Sequence, residues 1–178
     1  MLIPAEREPI APPPRYPTRR RPEWLPLEEP EDTTPMGIIY ADLTLMNADD
    51  AGAVRQGFKQ ASEIRSVQVR ALVDTDAYTM GLPEAVAIQL DLPVLEYREF
   101  DLADGSKKKL PMMGPVLVRF RNRQTICFAV RTQDEDVLLG AIPMQDLDVV
   151  LNPRKETIEV NPESPYLPKM KLKGFREA

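Results

Sequence analysis

The segment Ala71-Leu72-Val73-Asp74-Thr75-Asp76-Ala77 decides how this chain is read. An apolar strand delivers a carboxylate into a tight turn, with a hydroxyl next and a small side chain two residues further on. Upstream, Val67, Val69, Ala71 and Val73 alternate with Ser66, Gln68, Arg70 and Leu72. That period of two predicts a strand running straight into Asp74. Residues 38–45 alternate in the same way, with Ile39, Ala41, Leu43 and Leu45 on one side. The polar stretch 47–62 between these strands reads as either a hairpin connection or a short irregular helix. Downstream, residues 83–90 read as one short helix, with Pro83 at its start and Val86, Ile88 and Leu90 following.

Further along, Asp104-Gly105 lies between the extended segments 97–102 and 109–110. An Asp-Gly pair in that setting is the strongest short hairpin cue. Residues 116–120 and 125–131 flank Arg121-Asn122-Arg123 as a second hairpin. Val137-Leu138-Leu139 is a short apolar strand ending at Gly140, and residues 141–146 make a single helical turn. Residues 149–151 and 157–160 close the domain around Asn152-Pro153. Many short strands with regular turns predict a mostly β single domain. No internal repeat is visible.

Taken together, the Asp74 loop, the Asp104-Gly105 hairpin and Leu138-Leu139-Gly140 resemble the retropepsin-like aspartic proteases. In that family a hydrophobic strand carries Asp-Thr/Ser-Gly-Ala, a hairpin flap follows, and a second apolar pair ends in Gly before a helix. The likeness is strongest to a group of small bacterial or cyanobacterial-type members. It rests on Leu102-Ala103-Asp104-Gly105, Gly114-Pro115-Val116, the run 137–144, Asp148-Val149 and Val160-Asn161-Pro162-Glu163. It covers roughly residues 36–175. The resemblance implies an all-β, retropepsin-like closed β-barrel with one short helix, working as a homodimer. The implied layout is a Pro-rich tail over 1–35, a protease domain over 36–165 and a C-terminal tail over 166–178.

The activity implied by the resemblance is aspartic-type endopeptidase chemistry on a peptide or protein substrate, with no cofactor and no metal. Two aspartates close together share one proton, one acting as base on a water and the other as acid toward the scissile carbonyl. This chain supplies one such residue, Asp74, so the pair needs two copies related by a two-fold axis. Thr75 is implied to brace the two loops across that axis, with Ala77 completing the loop. Ala103, Asp104 and Gly105 are implied to form the flap that closes over the peptide. Leu138, Leu139 and Gly140 are implied to support the loops from beneath. The pattern departs at one place: Asp76 stands where the family has Gly. A Cβ with a carboxylate there either strains the loop or projects into the cleft. Its added negative charge disfavours the second ionisation of the pair. The alternative reading is a catalytically inactive dimer that keeps the fold and binds a protein partner as a scaffold.

Composition narrows the field in the same direction. The 178 residues include no histidine and one cysteine, at 43% hydrophobic and 29% charged. A Ser-His-Asp triad, a Cys-His pair, a histidine metal site and a disulfide framework within the chain are thereby excluded. The net charge of -5 argues against a nucleic-acid partner. No stretch approaches the roughly 18 apolar residues of a spanning helix, so no membrane partner is expected. Met1 to Glu8 lack the apolar run of a signal peptide, and the expected compartment is the cytoplasm, with Cys127 reduced. The tail is broken repeatedly by proline and mixes Arg19-Arg20-Arg21 with an acidic run from Glu28 to Asp32. That composition predicts disorder, whether as a solvated extension or as a docking motif around Arg19, Trp24 and Leu27.

Simpler readings stand beside the functional ones. Asp-Thr-Asp alone describes an ordinary turn held by local side-chain bonds. Asp74 and Asp76 as an alternating-carboxylate calcium loop lack the further ligands at loop spacing. Cys127 reads as a buried strand residue, and Lys107, Lys108 and Lys109 as a solvated strand end. Tyr78 reads equally as a pocket wall or as packing.

Overall fold

The two alternating segments around Asp74 become adjacent antiparallel strands in the computed structural model, which describes residues 37–101 and 105–170. Strand β1 (Tyr40–Asn47) pairs with β2 (Ser66–Val73), Leu43 lying opposite Val69. Ile39, Ala41, Leu43 and Leu45 all face inward and are buried. The connection between them is helix α1 (Ala48–Arg55) followed by a short 3-10 turn. Next come β3 (Met80–Pro83), α2 (Glu84–Gln89), β4 (Val94–Asp101), β5 (Lys107–Phe120) and β6 (Arg123–Thr132). The described order ends with β7 (Val137–Leu139), α3 (Ala141–Asp146), β8 (Val149–Asn152) and β9 (Thr157–Val160).

Strands β1, β2, β7, β3, β6 and β5 pair in that order, and β5 pairs back onto β1 to close a six-stranded barrel. Closure leaves no open edge within the ring. The barrel is filled by Leu45, Met80, Leu82, Val116, Val118 and Leu139, which have no or almost no exposed surface. Strand β5 has two duties. Its first half pairs with β4 as a projecting hairpin, and its second half pairs with β1, Leu45 facing Val118. The β5–β6 register breaks between Met113 and Val116, where Pro115 has no N–H to give the ladder. Strands β8 and β9 form a separate two-stranded sheet. Ile158 anchors it to the core, with Val149, Leu151 and Val160 packed alongside.

The mostly β class and the closed barrel agree with the sequence reading. The single short helix does not: three α-helices are present among the described residues. Helix α1 forms in the stretch left open as hairpin connection or helix. Asn47 settles the matter, since its Oδ1 accepts from the backbone N–H of Asp49 and Asp50 while its Nδ2 donates to Leu90 O. Strand β3 was not foreseen at all. The proline-rich segment 1–35 and residues 171–178 lie outside the described residues. No helix among the described residues is long and apolar enough to cross a membrane.

Helix α1 is also pinned by a buried carboxylate. Asp50, 3% exposed, accepts from Lys59 Nζ at 2.6 Å and from Arg65 Nε and Nη2, each at 2.7 Å. The Arg65 guanidinium, and after it the Lys59 ammonium, hold the Asp50 carboxyl well below the usual carboxylate range. A carboxyl depressed on folding contributes stability above its unfolded value near 3.9, and that contribution fades as pH falls toward the folded value. Asp50→Ala is expected to lower unfolding stability at pH 7 by about 2–3 kcal/mol, below the full figure for a dry pair because both cations keep contact with water. In urea titrations the gap between the two proteins should narrow steadily from pH 4 to pH 2 by this mechanism.

Candidate active site

Strand β2 runs parallel to β7, Leu72 beside Leu138 and Val73 beside Leu139. The ladder continues one step past the strand, as Asp74 N–H donates to Leu139 O at 3.0 Å. Asp74 is therefore placed by the barrel itself. Its Oδ1 accepts from the backbone N–H of Asp76 at 2.9 Å and of Ala77 at 3.3 Å. This is a local Asx-type turn, which orients the half-buried side chain. Among the described residues no hydrogen bond reaches Oδ2.

The rest of the loop is joined to the start of α3. Ala141 N–H donates to Ala77 O at 2.8 Å and Ile142 N–H to Tyr78 O at 3.1 Å. Thr79, buried, donates through Oγ1 to Phe128 O at 2.6 Å. Gly140 is required here for space. A Cβ at that position would stand 2.5 Å from the carbonyl oxygen of Ala77 and closer still to that of Thr79. Gly105, just before β5, is required for the opposite reason. Among the described residues nothing stands within 4 Å of a Cβ there, but its φ is +80°, which side-chain-bearing residues seldom adopt.

Thr75 and Asp76 are exposed. Asp76 is not among the residues with left-handed backbone, so the loop carries its Cβ without strain. Asp76 borders a cleft of about 310 Å³ between the loop and the β4–β5 hairpin. Tyr78, Met80, Phe100, Leu110, Val130 and Leu138 supply most of its apolar wall. Leu139 is fully buried in the core, whereas Leu138 faces the cleft and packs on Gly81. Tyr78 is a wall residue, 64% exposed. Gly105 lies just before β5, and Ala103 and Asp104 lie outside the described residues. A larger concavity on the outer face of β1 and β2, lined by Asp42, Thr44, Gln68 and Arg70, is shallow and polar.

Several wall residues were not singled out from the sequence. Met80 and Gly81 belong to the unforeseen β3. Phe100 and Leu110 lie on the β4–β5 hairpin, whose register puts them on one face; the Asp104-Gly105 turn cue, which marked the hairpin, was the one signal in the sequence that could have led to them. Cys127 is buried in β6, and burial pushes its thiol up to about 12, with the Asp146 carboxylate adding to the effect. It stays a thiol. Among the described residues no group of three or more acidic or cysteine side chains is placed to hold a metal ion.

Gly140→Ala is expected to lower stability by about 3 kcal/mol or more, at the upper end of overpacking costs, because backbone and not a flexible side chain stands in the way. Asp76→Gly should leave the unfolding free energy measured in urea within about 1 kcal/mol of the unaltered protein, the loss in chain entropy being its main cost. Comparison with models of known protein families gives no match, and comparison with curated protein sequences gives none either.

Proposed function

We propose that this chain is an aspartic endopeptidase of retropepsin type, with its active site formed between two copies by Asp74 from each. The observation that carries the reading is the Asp74 carboxylate at the end of β2. Its Oδ1 is held by amides of its own loop, and the next residues of that loop, Asp76 and Ala77, line an apolar cleft walled in part by the β4–β5 hairpin. In the reaction one Asp74 takes a proton from a water whose oxygen attacks the peptide carbonyl carbon. The other gives its proton to the carbonyl oxygen. Collapse of the tetrahedral adduct then breaks the C–N bond, and the amine leaves with a proton returned from the pair. The flap positions the peptide and keeps bulk water out. Among the described residues the β8–β9 sheet has two strands, and a second copy can add its own strands to their outer edges.

A second reading is a catalytically inactive dimer that binds a protein partner in the same cleft. Asp76 favours it, since two further carboxylates would then stand near the shared proton.

A peptide-library cleavage assay from pH 3 to pH 7 separates the two. For the protease, Asp74→Asn should reduce kcat/KM by about 10²–10⁴-fold or to background. Asp76→Gly should raise it by about tenfold, the ratio for about 1.4 kcal/mol of relieved repulsion. Cleavage by Asp76→Gly alone would establish the second reading. Either reading requires a dimer, and a monomeric mass by light scattering at micromolar concentration would exclude both.

A further inference from the structure

The cleft beside the Asp74 loop has an uneven distribution of charge. Its walls are apolar, and the ionisable side chains among its lining residues, apart from Tyr78, are two carboxylates, Asp76 and Asp101. No lysine or arginine among the described residues lines it. Asp101 already has a cation near it, Lys107 Nζ at 3.7 Å across the hairpin. Asp76 has none: no described residue donates a hydrogen bond or an ion pair to its carboxylate. Lys108 shares a hairpin face with Phe100 and keeps its charge while its ammonium donates to the neutral Gln133 Oε1 at 2.8 Å. Among the described residues Asp76 is therefore an exposed, unpaired anion at the cleft that a cation on the ligand can meet.

We propose that this cleft selects a peptide segment in which an apolar side chain adjoins arginine or lysine, the apolar group entering between Met80, Phe100, Leu110 and Val130 and the cation meeting Asp76. The inference rests on the reading of the cleft as a peptide site, and it assigns to Asp76 a role in specificity. A volume of about 310 Å³ accommodates a single large side chain and the backbone on either side of it. An exposed carboxylate at the rim suits an arginine fork, which keeps most of its hydration while making charge-assisted bonds. The same carboxylate repels glutamate or aspartate at that place, so selection works by exclusion as well as by attraction.

The test uses the full chain carrying Asp74→Asn, so that binding is read without turnover. Two fluorescein-labelled peptides of equal length differ only in one residue beside a leucine, arginine in one and glutamate in the other. By anisotropy the arginine peptide should bind about fivefold tighter or more, as expected for a rim ion pair. The ratio should shrink toward unity at about 1 M salt, where the screening length is about 3 Å. Adding Asp76→Asn, or separately Asp76→Gly, should remove the preference while leaving leucine-dependent binding in place. Equal binding of the two peptides, or a preference that survives both changes, overturns the inference and leaves the peptide site standing. Failure of both peptides to bind overturns the peptide site and the inference together.

Discussion

The parallel pairing of β2 with β7 is the constraint on which the rest of the molecule depends. The two strands lie far apart in the chain, with β3, α2 and both long hairpins between them. Their pairing is therefore a long-range contact with a large loop-closure cost. Once they meet, the ladder does not stop at the last strand residue, because the amide of Asp74 still finds the carbonyl of Leu139. The chain then passes through Gly140, whose bare Cα lets the turn press against the carbonyls of residues 77 and 79. Loop 74–79 and the start of α3 thus share one set of backbone hydrogen bonds. The carboxylate at the centre of the loop inherits its position from the closure of the barrel.

The protein treats its carboxylates in two ways. Asp50 is saturated: two cations and a backbone amide occupy its oxygens, and α1 is fastened by them. Asp148 is similarly occupied. The Ser164 hydroxyl, the Asn161 amide and the Lys169 backbone N–H hold it at about 2 and tie the chain after β9 to the end of α3. Both are structural anions with nothing left to offer a ligand. Asp74 and Asp76 differ in kind. Among the described residues Asp74 accepts only from its own loop, on one oxygen, and Asp76 accepts from none. These two carboxylates stand together in the loop that borders the apolar cleft.

Much of this was visible in the sequence because it is local. The alternation in residues 38–45 and 66–73, the Asp104-Gly105 turn and the short strand before Gly140 are each set by neighbours within a few residues. The Asp74 loop could be singled out for the same reason. What escaped depends on distant partners. Helix α1 owes its existence to Asn47 reaching Leu90 and to Asp50 reaching Arg65. Strand β3 is short, and Met80-Gly81-Leu82 has meaning only between β6 and β7. The pairing of β1 with β5 that closes the barrel leaves no trace in either strand alone. The cleft wall escaped likewise, since Phe100, Leu110 and Val130 meet only after the flap hairpin folds over the barrel end.

Positions 76 and 140 differ in how freely they can change. The backbone at 140 admits no side chain, so its codon is frozen for as long as the barrel keeps this shape. The backbone at 76 is ordinary and its side chain reaches solvent, so the identity of that residue is released from the demands of folding. Aspartate and glycine are separated by one nucleotide. A lineage carrying this scaffold can therefore exchange a charged cleft for a neutral one in a single mutational step, and exchange it back, without passing through an unstable protein.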